Sequence, residues 1–276
     1  MAKIAELPSA LSQGFVSEVG ERRLAVFLDF DGTLSPIVTH PEQAVLDNET
    51  RQAVRRVADR FPVAIVSGRD RLDVAGRVAL DDVYYAGSHG FDISGPGEFR
   101  EEKGSEFRPS LEEAASELEI GLRAVSGSWV ERKRFALAVH YRQAPAGAEE
   151  EVEEAVRAVA SRHPDLRMAG GKKIFELRPD IDWDKGKAVV WLLEVLGLRS
   201  DDVVPIYVGD DETDEDAFRE FGEGPGIGVV VGGGDRSTAA RYSLAGTAEV
   251  SAFLMRLSRL PRTEPWPRRP ITRAEG

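Results

Sequence analysis

In "VFLDFDGTLSPIV" (26–38) two aspartates, Asp29 and Asp31, stand one residue apart at the end of an apolar run. An ionised carboxylate is costly to bury unless it is paired or bound to a cation. Residues two apart on an extended chain project to the same side, so both carboxylates are expected to point together beyond a strand tip. Carboxylates that close repel, and either one takes a proton or both share a cation. Such a pair suits phosphoryl transfer. One carboxylate can attack phosphorus as a nucleophile. The other can give a proton to the leaving oxygen and later take one from water. The bland alternative is a turn in which the aspartates cap local N–H groups. An apolar strand running directly into Asp-x-Asp-Gly-Thr-Leu argues against it.

Three further stretches could complete one site. "VGDDETDEDAF" (208–218) follows another apolar strand, and six of its eleven residues are acidic. Asp210 is expected at the strand tip, with Asp214 returning from the first helical turn. Hard oxygen donors of this kind suit Mg²⁺, which accepts few protein carboxylates and keeps several waters. A solvated acidic helix start, favoured by the macrodipole, accounts for Glu212, Glu215 and Asp216 but not for Gly209-Asp210. In "IVSGRD" (65–70) Ser67 ends a strand, and its hydroxyl could hold a phosphoryl oxygen; Arg69 reads as a substrate contact or a surface residue. "DWDKGKAVVWLLEVLG" (182–197) puts Lys185 and Lys187 at a helix start, where the dipole disfavours cations. A lysine there needs an anionic partner and could stabilise a transferred phosphoryl group. Lys185 is the better candidate, because Gly186 follows it.

These residues need elements to carry them. Apolar runs at 24–32, 61–68, 82–90, 203–211 and 226–233 end in Gly or Asp, and helical patterns at 48–60, 70–79, 185–197 and 213–221 lie between them. Continuous rather than alternating apolar strands are covered on both faces. The alternation therefore predicts an α/β fold with a doubly wound parallel sheet, whose ligand crevice lies outside the strands' carboxyl ends. The middle differs. Helices at 110–124 and 148–162, with a strand over "WVERKRFALAVHYR" (129–142) and another over "GKKIFELRP" (171–179), read as a smaller inserted α+β unit. The expected division is 1–106 and 181–260 for the main unit and 107–180 for the insert. The Pro- and Arg-rich segment 261–276 is expected to be loosely ordered.

Bulk properties narrow the function. The 276 residues suffice for one large or two smaller domains. A net charge of −12 argues against nucleic acid as a partner. The absence of cysteine excludes disulfides and thiolate metal sites. No signal-peptide-like stretch and no run of about 18 apolar residues is present, so neither membrane insertion nor export is expected, and the cytoplasm is the expected location.

Taken together, the four stretches resemble the four motifs of the haloacid dehalogenase (HAD) superfamily of aspartate-nucleophile phosphatases, in members with a cap between the second and third motifs. "LDFDGTLSPIV", "AIVSGR", "GSHG", "VERKRFALAVHYR", "GKKIFELRP", "WDKGKAV" and "GDDETDEDAF" resemble the trehalose-phosphatase family, over about 24–258. That resemblance implies a Rossmann-like HAD core and Mg²⁺-dependent hydrolysis of trehalose 6-phosphate through an aspartyl-phosphate. It implies Asp29 as nucleophile and Asp31 as general acid and base, the latter also binding metal through its carbonyl. It implies Ser67 on the phosphoryl group, Lys185 on its charge, and Asp210 and Asp214 at the metal. In the cap, Glu131, Lys133, Arg142, Lys172 and Glu176 match disaccharide-contacting positions. The partner is a small sugar phosphate, and a monomer is expected. His89 either touches substrate or satisfies a turn. The alternatives are another capped sugar-phosphate phosphatase, for sucrose phosphate or mannosylglycerate phosphate, a non-catalytic sugar-phosphate sensor, or a phosphotransferase. All of these expectations require residues 29, 31, 67, 185 and 210 to converge.

Overall fold

The computed structural model describes residues 1–171, 173–222 and 224–261. Lys172 and all but the first residue of the expected tail lie outside the described residues. The helices are α1 (Gln13–Val19), α2 (Asn48–Ala58), α3 (Arg71–Val78), α4 (Arg108–Gly121), α5 (Ala148–Ala160), α6 (Lys185–Val195), α7 (Glu215–Phe221) and α8 (Thr247–Leu257). None among the described residues is long and apolar enough to cross a membrane. The chain divides into two compact units, 1–101 with 183–276, and 102–182.

The larger unit is built on β1 (Arg23–Leu28), β2 (Val63–Val66), β3 (Tyr84–Gly87), β4 (Asp92–Ser94), β5 (Arg100–Glu102), and then, after the insertion, strands at Val203–Gly209, Ile227–Val231 and Tyr242–Leu244. Between these sets run the insert's strands β6 (Trp129–Lys133), β7 (Ala136–His140), β8 (Leu166–Gly171) and β9 (Ile174–Pro179), so the last three of the main sheet are β10, β11 and β12. The sheet order is β12-β11-β10-β1-β2-β3-β4-β5. All pairs from β12 to β3 are parallel, and β4 returns antiparallel on β3.

Alternation along β1 explains the double winding. Leu24, Val26 and Leu28 pack with α1, α2, α3 and α8 residues on one face. Ala25 and Phe27 pack with Val189 and Leu192 of α6 and Phe218 of α7 on the other. A strand buried on both faces must be apolar along its covered length, as β1 is from Leu24 onward and as the fully buried β2 and β10 are. The chain runs outward from β1 through β2 to β3, then resumes on the opposite side of β1 with β10. That reversal makes the β1/β10 boundary a topological switch point, where side chains from two strand tips can meet over a crevice.

In the smaller unit the antiparallel sheet has the order β6-β7-β9-β8. Leu111, Leu118, Val152, Val156 and Val159 of α4 and α5 cover Leu137, Val139, Phe175 and Leu177 on one sheet face. The single strand expected over 129–142 is instead a hairpin, turning at Arg134-Phe135 with Lys133 opposite Ala136. "KRFAL" holds no Gly, Pro, Asn or Asp, so no turn residue marks the reversal. The strand over 166–171 was not expected either; "LRMAGG" has weak strand propensity, and pairing with all of β9 holds it.

Candidate active site

Asp29 directly follows β1. Its N–H donates to the Val208 carbonyl across the switch point at 2.9 Å. Gly32 then turns with φ +86°, and a Cβ there would run into the Asp210 carboxylate, so only glycine lets the Asp29–Asp31 turn close on the tip of β10. Thr33 Oγ1 donates weakly to Asp210 Oδ1 at 3.4 Å. Asp29, Asp210 and Asp214 offer carboxylate oxygens that all lie within 4.8 Å of one another.

Lys185 holds this cluster. It is the first residue of α6, capped by Asp184, whose carboxylate accepts the Lys187 N–H at 2.9 Å. Its Nζ donates to Asp29 Oδ1 and to Asp214 Oδ1, each at 2.8 Å, and it is 3% exposed. Burial works against its charge, but the carboxylates of Asp214 and Asp29 outweigh it and hold its pKa above the ordinary lysine value. Burial likewise pushes Asp29 well above the usual carboxylate range, Lys185 opposing and Asp214 adding to the rise. Asp210 is pushed up to about 7, by burial and then by Asp214 and Asp211. Three carboxylates against one ammonium make a crowded site of hard oxygen donors, and the upward shifts of Asp29 and Asp210 suit it to a divalent cation.

Asp214 belongs to the cluster by distance, yet its carboxylate is saturated. Lys185 Nζ and the Tyr207 hydroxyl donate to Oδ1 at 2.8 and 2.7 Å, and the N–H groups of Asp210 and Asp211 donate to Oδ2 at 2.9 and 3.0 Å. With about four lone-pair sites on a carboxylate, it holds the turn and Lys185 in place rather than offering an open oxygen. Asp29 and Asp210 are left as the carboxylates with capacity for a cation. Tyr207 was not among the candidates. It is fully buried, and its ring meets Phe218 edge-on at 5.7 Å. The signal was a polar-tipped residue inside "PIYV", since a buried tyrosine hydroxyl needs a partner. Asp211, uncertain from sequence, caps the following turn through Thr213 N and Oγ1, each at 2.7 Å.

Asp31 and Arg69 pair in a way the spacing did not foretell. Arg69 Nε and Nη2 donate to the two oxygens of Asp31 at 2.6 and 2.7 Å, and Nη1 donates to Asp73 at 2.9 Å. A bidentate guanidinium–carboxylate pair is among the stronger charged contacts. The Asp31 carboxylate is therefore turned onto Arg69, and it is not part of the three-carboxylate cluster. Ser67, at the end of β2, is buried, and its Oγ accepts the Arg69 N–H at 3.1 Å. Ser88 and His89 both have positive φ, at 50° and 57°. Their N–H groups tie down the Arg69 and Ser67 carbonyls at 2.7 and 2.9 Å. His89 thus satisfies the turn that positions Ser67, and its ring lies against Gly68.

In the smaller unit, Arg132 reaches Glu112 and Glu119 of α4, so its neighbours Glu131 and Lys133 point to the opposite sheet face. Register puts Glu131, Ala138 and Glu176 in one row across β6, β7 and β9. Lys133 Nζ donates to Glu176 Oε1 at 3.0 Å. His140 Nε2 lies 2.8 Å from Glu131 Oε2, and that hydrogen bond holds the Glu131 pKa below the usual value. Arg142, two residues past β7, is exposed and stands off this row.

The profile of the family described as trehalose-phosphatase matches residues 27–248. Trehalose 6-phosphate phosphatase RA3 of Zea mays is 44% identical over 269 residues, covering 91% of this chain and 74% of that protein. A trehalose-phosphate phosphatase of Mycobacterium bovis (strain BCG / Pasteur 1173P2) is 44% identical over 270 residues, covering 95% and 68%. The crystal structure of a trehalose-6-phosphate phosphatase related protein superposes with a TM-score of 0.72 at 27% identity, over 86% of this chain and 97% of that one. A haloacid dehalogenase-like hydrolase from Bacteroides thetaiotaomicron, at 16% identity and a TM-score of 0.62 over 86% and 99%, shares the fold.

Proposed function

Because the chain belongs to the trehalose-phosphatase family, a family of phosphatases on a HAD core, we propose that it hydrolyses trehalose 6-phosphate through an aspartyl-phosphate on Asp29. The observation that carries this reading is the buried Asp29 carboxylate at the switch point, one oxygen held by Lys185 and the cluster shared with Asp210. Asp29 Oδ2 attacks phosphorus while Oδ1 stays on Lys185, whose ammonium offsets charge gathering on the phosphoryl oxygens. The Ser67 hydroxyl donates to one of those oxygens. Asp31 gives its proton to the departing sugar oxygen as the P–O bond breaks. It then takes a proton from the water that attacks the aspartyl-phosphate, releasing phosphate and restoring Asp29. For this, the Asp31–Arg69 pair must open and Asp31 must take up a proton from water before the sugar oxygen leaves. An incoming phosphate offers Arg69 an anionic acceptor in place of Asp31, which makes Arg69 a substrate contact as well as a latch.

Mg²⁺ fits the donor set: Asp29, Asp210 and the Asp31 carbonyl would hold it, with Asp214 bracing the turn beneath. When bound, it supplies positive charge that keeps Asp29 ionised and offsets phosphoryl charge. In the smaller unit, Glu131, Lys133 and Glu176 supply fixed acceptors and donors for hydroxyls of an uncharged disaccharide. Arg142 and Lys172 join that set by family likeness alone.

The test is phosphate release from trehalose 6-phosphate, sucrose 6-phosphate, mannosylglycerate phosphate and glucose 6-phosphate, with Mg²⁺ and with EDTA. Metal-dependent release favouring trehalose 6-phosphate is expected. A preference for another ester overturns the substrate; undiminished turnover in EDTA overturns the metal.

The raised Asp210 pKa adds a second check. A carboxyl whose folded pKa lies above its unfolded value, here about 7 against 3.8, contributes stability that is complete below the unfolded value and lost as pH rises through the folded one. Metal-free protein is therefore expected to melt at a lower temperature at about pH 8 than at about pH 5. Mg²⁺, competing with protons, should stabilise more at the higher pH. Asp210→Asn should abolish most of that difference. Calorimetric melts in which Mg²⁺ stabilises wild type equally at both pH values would remove Asp210 from the metal site.

A further inference from the structure

Trp129 opens β6 and is 51% exposed. It lies opposite His140 in the sheet register. The two rings stack at a centroid distance of 4.0 Å with an interplanar angle of 10°. Stacking covers one face of the indole, and the exposure that remains belongs to the other. Strand alternation sets Trp129 on the same side as Glu131 and Lys133, away from α4 and α5. It stands about 7 Å along the strand from Glu131. The imidazole behind it is fixed in turn, because His140 Nε2 is held by Glu131 Oε2 at 2.8 Å. An aromatic plate with a braced back and an open front therefore adjoins the row of Glu131, Ala138 and Glu176, with Lys133 on the far side of that row.

A pyranose ring has a matching chemistry. Its ring C–H groups form an apolar face, while its hydroxyls radiate near the ring plane toward donors and acceptors. Carboxylates and an ammonium alone read hydroxyls but leave that C–H face against water. We propose that Trp129, braced by His140, is the stacking platform for one pyranose ring of the disaccharide phosphate and so a specificity-determining residue. This rests on the trehalose 6-phosphate reading above and names a contact that reading does not need. The bland account is an edge-strand tryptophan that merely shields itself on His140.

The experiment compares kcat/KM for trehalose 6-phosphate with kcat/KM for p-nitrophenyl phosphate, which lacks a pyranose, in the full chain with Mg²⁺. In Trp129→Ala the ratio of the two should fall roughly tenfold, carried by KM for the disaccharide ester. Trp129→Phe keeps an aromatic face and should recover the ratio to within about threefold of wild type. An unchanged ratio in Trp129→Ala overturns the proposal. So does a Trp129→Phe ratio as low as that of the alanine variant, which would make the loss structural rather than aromatic. Wild type that releases no phosphate from trehalose 6-phosphate sinks the functional reading and this inference together; wild type that does so with an unmoved ratio sinks this inference alone.

Discussion

Asp29→Asn is expected to lower turnover by roughly 10⁴-fold or more while leaving the protein folded. The amide keeps the shape of the carboxylate but carries no charge and no free lone pair suited to attack on phosphorus. Asp29 is also the oxygen donor that links Lys185 to the Asp210 side of the cluster, so both nucleophile and charge balance change at once. Stability should move little, because Lys185 keeps its second partner, Asp214, and because a buried carboxylate pushed well above its usual pKa is itself costly. Steady-state phosphate release alongside a thermal melt measures both. Retained activity within tenfold of wild type, with the melt unchanged, ends the nucleophile assignment.

Lys185→Met should act on stability as strongly as on rate. Lys185 is buried between two buried carboxylates, and its removal leaves Asp29 and Asp214 without a counter-charge. Breaking a buried pair by deleting one partner costs about 3–5 kcal/mol. Urea unfolding of the variant at neutral pH should show a loss of about that size. The deficit should shrink toward acid pH, where Asp29, pushed up by burial, takes a proton. Asp214→Asn placed on the Lys185→Met background should return part of the loss. A deficit under about 1 kcal/mol that does not vary with pH would mean that Lys185 is solvated and does not hold the cluster.

How much of this was legible in the chain follows from where the physics is local. The residues that follow β1 and β10 declared themselves because an apolar strand that stops on Asp29 or Asp210 is locally improbable, whereas a Ser-Gly turn is common and Ser67 gained weight only from its place after the second strand. Lys185 and Lys187 stood out for the same kind of reason, since a cation at a helix start contradicts the dipole unless an anion answers it, and Gly186 then favoured Lys185. Double winding was visible for a related reason, since strands covered on both faces lose their alternation. Short or polar strands carry no such signature, and β4, β5 and β8 went unseen while the hairpin of β6 and β7 read as one strand.

Tertiary structure decided the partners. Nothing in "PIYV" says that Tyr207 will donate to Asp214, or that Asp214 will spend both oxygens on four donors instead of a cation. Nothing in "SGRD" says that Arg69 will grip both oxygens of Asp31. The Tyr207–Asp214, Lys185–Asp214 and Arg69–Asp31 contacts join residues 7, 29 and 38 positions apart, and the Lys185–Asp29 pair spans 156. Periodicity reports the face on which a residue lies. Which atom it meets there depends on strand order and on the parallel pairing of β1 with β10, and those are set by the packing of the whole sheet.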